Sequence, residues 1–163
     1  EGFLVEAGNP KNIHSYDDFV NNPDLRMGIV SGADQLDFAQ AYGIPERQLV
    51  MLNANADAPS ALTAGRIDAY AATGLTVVGL AEGNARVEAA AEFVDPVIDG
   101  APVRSFGAFT FNQNSDFLEP FNEALAEFHQ TDEYREILKS HGLTDQDVDA
   151  ALNASTADLC AAN

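Results

Sequence analysis

Short apolar runs alternate with amphipathic stretches along the first hundred residues, and the two patterns predict strands and helices in turn. The runs that predict strands are Arg26–Ser31, Gln48–Leu52, Ile67–Ala72 and Val87–Val94. Helices are predicted from about Gln35 to Ala41 and from Ala58 to Ala64. Strands that alternate with helices imply a mostly parallel sheet flanked by helices. The predicted fold class is therefore α/β.

The clearest local signals surround Gly65. Asp57 can cap a short helix at its N-terminus, and Gly65 ends that helix. The next strand ends at Thr73, and ligands usually bind at the carboxyl ends of strands in open α/β sheets. Thr73 is therefore either a ligand-binding residue or the N-cap of the next segment, Leu75–Leu80. The spacing alone leaves both interpretations open.

A similar turn follows the strand Arg26–Ser31. Gly32 permits backbone torsions that a side chain would block, and the amides at the start of the next helix point outward, where they bind carboxylates well. Asp34 opposes this use, because as a cap it would occupy the amides and its charge would repel an anion. A ligand that also carries positive charge would tolerate Asp34 better. The candidate ligand-binding residues of this turn are Ser31, Gly32, Ala33, Asp34 and Gln35.

Turn residues and a periodic apolar pattern organise the rest of the chain. Asp95-Pro96 and Asp99-Gly100 predict turns. After them, an amphipathic helix is predicted from Phe117 and a last acidic helix over Thr144–Asn153. The apolar face of the first of these helices carries Leu118, Phe121, Leu125 and Phe128. We expect one compact domain with helical appendages, because 163 residues with 46% hydrophobic composition can bury one core.

The net charge and the residue types present disfavour several classes of function. The net charge of −18, from 8 basic and 26 acidic residues, makes nucleic acid a poor partner. No metal-binding or cofactor motif is present, since the histidines stand apart, and Cys160 is the only cysteine. The adjacent carboxylates Asp17 and Asp18 point apart, as do Asp145 and Asp147 to a lesser degree, so we predict no catalytic residues and no enzyme.

Several motifs together resemble lobe two of periplasmic ABC-transporter substrate-binding proteins of the polar amino-acid, type II family. They are Gly8-Asn9-Pro10-Lys11-Asn12 with the S-x-x-D box at Ser15–Asp18, T-A-G-R-I-D-A-Y-A-A-T at Thr63–Thr73, the run Phe106–Phe111, and T-D-E-Y-R-E-I-L-K-S-H-G at Thr131–Gly142. The resemblance extends over nearly the whole chain. Within the family it is closest to ectoine- and hydroxyectoine-binding proteins.

The resemblance implies a domain organisation. Residues 1–8 would form the first hinge strand, 9–105 lobe two, 106–112 the returning hinge strand, and 113–163 the C-terminal helices that pack on lobe one. Most of lobe one is absent from this sequence, so we expect a fragment. Binding by this piece alone should then be weak, and the helices left exposed should favour self-association.

The resemblance also implies the ligand and the partner. Family members that bind α-amino acids usually place an aspartate for the ammonium group where this chain has Thr73. Ectoine has a carboxylate and a cyclic amidinium but no free α-ammonium, so a neutral hydroxyl suits it. The implied function is capture of a small zwitterionic solute in the periplasm for a membrane permease. The alternatives are a polar amino-acid-binding protein of the same family and a dehydratase-like enzyme on the same fold. A sensor domain is a third class, which the small polar residues at the C-terminus disfavour.

Overall fold

The computed structural model describes residues 1–103 and 105–161. The chain divides into two compact units, Glu1–Arg104 and Ser105–Asn163. This division lies beside the limit predicted for lobe two at residue 105. The assignment of the units to the lobes of a larger protein remains a prediction.

The first unit is built on a five-stranded mixed sheet. Its strands are β1 (Gly2–Glu6), β2 (Met27–Val30), β3 (Leu49–Leu52), β4 (Ala69–Ala72) and β5 (Val87–Ala89), in the order β3-β2-β4-β1-β5. The central pairs β2–β3 and β2–β4 are parallel, whereas β1 is antiparallel to both β4 and β5. Four of the five strands therefore run in one direction. The prediction of a mostly parallel sheet flanked by helices is confirmed.

Each predicted apolar run contains an observed strand, but all four strands are shorter than predicted. β4 begins at Ala69 and not at Ile67, because its pairing with β2 starts where Ala69 lies opposite Met27. The run that was predicted to reach Val94 pairs only over Val87–Ala89, and Glu92 then adopts a φ of 55°. That left-handed conformation ends the extended backbone.

Four helices cover the two faces of the sheet. They are α1 (Tyr16–Asn21), α2 (Gln35–Ala41), α3 (Ala58–Thr63) and α4 (Gly74–Ala81). Residues of α1 and α2 share one apolar core with Phe3, Met27 and Ile29. Residues of α3 and α4 share the second core with Leu4, Tyr70 and Ala72. Both faces of the sheet are therefore buried, as its central parallel strands require.

Helix boundaries follow the predicted caps in part. α2 has the predicted bounds, and Ser15 and Asp18 form the predicted capping box of α1. Gly65 follows α3 with a φ of 63°, as expected of a residue that stops a helix. Asp57 is the N-cap residue of α3, as predicted, but its side chain makes no cap hydrogen bond to this helix. Its carboxylate accepts a hydrogen bond from the Ala54 amide at 3.1 Å, and it closes the 3-10 turn Asn55–Asp57 instead.

Gln48 is a buried polar residue beneath α1. It ends the 3-10 turn Glu46–Gln48, just before β3, and is only 2% exposed. Its Nε2 donates to three backbone carbonyls at 3.0–3.1 Å, those of Phe19, Asn22 and Leu25. These carbonyls belong to the end of α1 and the turn beyond it, where helix carbonyls lack internal partners. One side chain therefore provides hydrogen bonds to the carbonyl groups at the end of α1 and links this end to the start of β3.

A two-stranded hairpin precedes the boundary between the units. β6 (Val97–Ile98) pairs antiparallel with β7 (Ala101–Pro102) around Asp99 and Gly100, which have φ values of 54° and 82°. Two consecutive positive φ angles are typical of a type I′ hairpin turn. The turn predicted at Asp99-Gly100 is confirmed.

The second unit contains the extra C-terminal helices. They are α5 (Leu118–Phe128), α6 (Asp132–Ser140), α7 (Asp145–Asn153) and α8 (Thr156–Ala161). Thr131 and Thr144 cap α6 and α7 through their side chains. Among the described residues of this unit, Val148 alone is fully buried. Within the described ranges, no helix is long and apolar enough to cross a membrane.

The predicted returning hinge strand is not a strand in this structure. Residues 106–112 form no helix or strand, although the sequence Phe106–Phe111 is apolar and extended in pattern. A β-strand exists only where a neighbouring strand accepts and donates its backbone hydrogen bonds, and none of the described residues does so for this segment. The strand assignment is therefore corrected. The hinge role of this segment, like that of β1, remains a prediction.

Candidate functional site

The predicted ligand-binding residues lie at one edge of the sheet. β2 and β4 are parallel neighbours, with Met27 opposite Ala69, so their carboxyl ends meet at the same edge. The turn after β2 carries residues 31–35, and Thr73 follows β4 directly. β1 runs in the opposite direction and places Gly2 opposite Ala72, which brings Glu1 to this edge as well. The structure therefore brings the two predicted segments together.

The turn after β2 presents unused backbone donors. Gly32 has a φ of 81°, and the Ala33 amide donates to the Val30 carbonyl at 3.1 Å. The amides of Gly32, Asp34 and Gln35 donate to no acceptor within the described part of the chain. The Asp34 side chain makes no cap hydrogen bond, so its carboxylate does not occupy these amides. The turn can therefore donate several N–H groups to one anionic group.

Gln35 differs from its prediction in one respect. Its side chain is buried, at 5% exposure, and its Nε2 donates to Oε2 of Glu1 at 2.6 Å. The side chain is therefore committed to the interior, and only the backbone N–H of Gln35 remains at the edge. The sequence gives no signal for this contact, because its two partners are 34 residues apart.

Thr73 caps α4, which was one of its two predicted roles. Its Oγ1 accepts a hydrogen bond from the Thr76 amide at 3.4 Å and shares another with the Thr76 hydroxyl at 2.9 Å. The residue is also exposed at the sheet edge. Capping does not consume the whole hydrogen-bonding capacity of a hydroxyl, which has one donor and two acceptor sites. The ligand-binding role of Thr73 remains a prediction.

The third parallel strand contributes a fixed loop to the same edge. Asn55, after β3, accepts a hydrogen bond from the Tyr70 hydroxyl at 2.5 Å. Burial raises the pKa of Tyr70, so its hydroxyl stays protonated and available as a donor. Asn55 thus holds the loop onto β4. A polar cavity of about 200 Å³ lies beside this loop, lined by Met51, Leu52, Asn53, Asp57 and Arg66.

A second cavity, of about 150 Å³, lies at the opposite edge of the sheet. Its polar centre is the carboxylate of Asp68, which contacts Lys11 Nζ at 2.7 Å and accepts from the Arg26 amide at 2.7 Å. The Arg26 guanidinium in turn donates to the Gly65 carbonyl at 2.6 Å. Asp68 therefore joins the starts of β2 and β4 to the segment after β1. This cluster is a structural feature that the sequence motif around Asp68 did not reveal.

Neither cavity contains the residues of the predicted site. Residues 31–34 and Thr73 form an open edge, with all but Ala33 classed as exposed. Small-molecule sites usually enclose most of the ligand surface between opposing walls. A ligand bound at this edge would therefore contact one wall only, and tight binding would require a second wall facing it.

Two of the acidic residues and one of the histidines considered above cap helices. Asp18 accepts from the Ser15 amide at 2.8 Å, and Asp147 accepts from the Thr144 amide at 2.8 Å. His141 follows α6 as its C-cap. Within residues 1–103 and 105–161, no group of three or more acidic, histidine or cysteine side chains is placed to hold a metal ion.

Comparison with known proteins identifies related sequences and folds. No family model matches the sequence. The chain is 46% identical over 161 residues to the "Probable amino-acid ABC transporter periplasmic-binding protein y4tE" of Sinorhizobium fredii. This match covers 98% of the chain but only 53% of that protein, so the chain spans about half the length of its curated relative.

Two solved structures share the fold. One is EhuB in complex with hydroxyectoine, with a TM-score of 0.76 and 28% identity, covering 99% of this chain and 61% of that one. The other is an ancestral arginine-binding protein bound to glutamine, with a TM-score of 0.54 and 21% identity, covering 92% of this chain and 56% of that one. The second likeness concerns the fold alone.

Proposed function

We propose that this chain forms one wall of the ligand cleft in a periplasmic substrate-binding protein of an ABC transporter, because it is 46% identical to one such protein and shares its fold with EhuB. The observation that carries the proposal is the open sheet edge, where the unused amides of Gly32, Asp34 and Gln35 share one edge with the exposed Thr73. The intact protein is then an extracytoplasmic solute-binding component of an ABC importer, and a membrane permease is its partner.

The proposed edge suits a ligand with a carboxylate. Backbone amides around a glycine turn at a helix start carry partial positive charge and bind anions. Charge-assisted hydrogen bonds of this kind are among the stronger polar contacts in proteins. The exposed carboxylate of Asp34 beside the amides disfavours a simple anion. A zwitterion, with its positive group directed away from the amides, satisfies both features.

The positive group of the ligand decides between two solute classes. Thr73 offers a neutral hydroxyl, which gives a free ammonium group no ionic partner from this wall. A delocalised cation such as the amidinium of ectoine or hydroxyectoine needs such a partner less, and EhuB is a structural relative that binds hydroxyectoine. We therefore favour ectoines. The alternative is a polar amino acid, which the name of the Sinorhizobium fredii relative, an amino-acid ABC transporter protein, supports.

The mechanism that fits this arrangement is cleft closure. The ligand would bind between this edge and a second wall, while β1 and residues 106–112 bend as hinges. The permease would then recognise the closed form. We further propose that the protein is a binder and not an enzyme. The enzyme alternative, a dehydratase-like activity, is less favoured, because Asp18 and Asp147 accept hydrogen bonds as helix caps and His141 is a C-cap.

Substitution of Thr73 tests the ligand class. Aspartate is as good an N-cap as threonine, so Thr73→Asp should leave α4 intact while it adds a carboxylate at the edge. In the intact protein we expect hydroxyectoine affinity to fall by roughly tenfold and glutamine affinity to rise, because the new charge pairs with a free ammonium. Calorimetric titration of both ligands checks this. Thr73→Ser is the control, and unchanged selectivity in Thr73→Asp would place the residue outside the site.

We also propose that the second unit exposes an apolar face that self-associates when this chain is studied alone. Phe109 and Phe117 are 68% and 63% exposed, and Ile137 is 42% exposed. Exposed apolar groups of this kind mark interaction surfaces. We expect light scattering to show concentration-dependent association, which a Phe109→Ser/Phe117→Ser variant reduces. Val20→Ser, at an exposed apolar position of the first unit, is the control. A clean monomer without dye-binding surface would contradict the proposal.

A further inference from the structure

Glu1 is hydrogen-bonded to one of the proposed ligand-binding segments and lies close to the other. Its carboxylate accepts the hydrogen bond from Gln35, at the start of α2. Its carbonyl oxygen lies close to Gly74, the residue after Thr73, so that a Cβ added at Gly74 would stand 3.4 Å from it. Gly2 is registered opposite Ala72 in the β1–β4 ladder. One residue at the start of β1 thus connects the turn after β2 with the turn after β4.

We propose that Gln35 is a positioning residue, which through Glu1 fixes the amide turn 31–35 relative to Thr73 and to strand β1. This inference rests on the proposed ligand site. It states that the buried side chains of Gln35 and Glu1 determine the geometry of that site. The amides and the hydroxyl must hold a set separation to bind the two ends of one small ligand. The Gln35–Glu1 hydrogen bond holds that separation.

The polar character of the pair supports a positioning role. The side chains of Glu1 and Gln35 are 4% and 5% exposed, and burial of a carboxylate is costly unless it is hydrogen-bonded. An apolar pair would fill the same space at a lower desolvation cost. A hydrogen bond differs from apolar packing because it fixes direction and distance. The buried pair therefore specifies how the two turns stand against each other.

Tyr16 provides a matched control in the same core. Its hydroxyl is buried without a hydrogen-bond partner in the described part of the chain. Burial first, then the charge of Glu1 and the neighbouring Tyr42, raise its pKa far above the ordinary value, so it stays a neutral phenol. Tyr16→Phe removes a polar atom from the surroundings of Glu1 but leaves the Gln35–Glu1 bond intact.

The test compares four forms of the intact protein: wild type, Gln35→Glu, the exchanged pair Glu1→Gln/Gln35→Glu, and Tyr16→Phe. Gln35→Glu replaces the amide that donates to Glu1 with a second carboxylate, so that two carboxylates face each other. The exchanged pair restores one donor amide and one acceptor carboxylate, with the two positions reversed. The readouts are amide hydrogen exchange without ligand and calorimetric titration with hydroxyectoine.

For Gln35→Glu we expect faster amide hydrogen exchange in two sets of peptides, those that cover residues 30–38 and those that cover residues 71–77. We also expect the affinity for hydroxyectoine to be about tenfold weaker than that of wild type. The exchanged pair should bring exchange and affinity back to within about threefold of wild type, and Tyr16→Phe should match wild type. A merely structural role would predict faster exchange spread over the whole first unit.

Three results would overturn the inference. They are unchanged exchange at 71–77 in Gln35→Glu, a change spread evenly over the first unit, and failure of the exchanged pair to restore the wild-type pattern. If wild type does not bind hydroxyectoine, the proposed ligand is wrong, but the exchange measurement still decides the role of Gln35 because it needs no ligand.

Discussion

Replacement of Gly32 by valine in the intact protein should weaken ligand binding by roughly 100-fold, because each charge-assisted hydrogen bond to a backbone amide contributes about 1.5–3 kcal/mol. Gly32 has a φ of 81°, and a Cβ there would meet no atom within 4 Å. The effect therefore comes from the backbone and not from a clash. A β-branched residue avoids this left-handed conformation, so the turn must change, and the amides of Gly32, Asp34 and Gln35 would then turn away from the proposed ligand.

Gly43→Val is the matched control for this prediction. Gly43 has a φ of 75°, has the same open surroundings, and follows the opposite end of α2. Both variants should lose about 1–3 kcal/mol of stability from backbone strain. Only Gly32→Val should lose the ligand in calorimetric titrations performed well below the midpoint of unfolding. Equal affinities of the two variants would exclude the turn after β2 from the site.

Replacement of Gln48 by methionine should produce the second large effect, a loss of about 3 kcal/mol in the free energy of unfolding. Methionine matches the size of glutamine but cannot donate, so the buried carbonyls of Phe19, Asn22 and Leu25 lose a donor. A buried acceptor left unsatisfied costs about 1–3 kcal/mol. Several carbonyls are affected at once, although two N–H groups serve all three, so the costs do not simply add.

Gln40→Met is the control for the glutamine substitution. Gln40 is exposed on α2, where the same exchange should change stability by less than about 0.5 kcal/mol. Calorimetric unfolding of the intact protein measures both variants. If Gln48→Met is no less stable than Gln40→Met, the hydrogen bonds of the Gln48 side chain do not stabilise the end of α1.

The parts of the fold that the sequence predicted depend on near neighbours in the chain. The capping box at Ser15 and Asp18, the bounds of α2 and the hairpin turn at Asp99-Gly100 are each determined within a few residues. Local hydrogen bonds and positive φ angles need no distant partner. The same applies to Thr73, for which the sequence named the capping role that the structure shows.

The features that the sequence did not predict depend on distant partners. The direction of the Gln35 side chain depends on Glu1, and β5 pairs with the distant strand β1. The segment 106–112 has the apolar pattern of a strand but finds no pairing partner among the described residues. The position of the candidate site at one sheet edge was predictable, because parallel strands bring their carboxyl ends together.

The most direct test of the proposed function is a thermal-shift measurement on the intact protein with ectoine, hydroxyectoine, glycine betaine, glutamine and arginine. A ligand that binds only the folded state raises the free energy of unfolding by RT ln(1 + [L]/Kd), so saturating ligand should raise the midpoint by several degrees. We predict that ectoine and hydroxyectoine produce this shift and that the other three compounds do not. A shift with glutamine or arginine alone would contradict the assignment of the ligand to the ectoines, and no shift with any of the five would contradict the proposed function as a binder of such solutes.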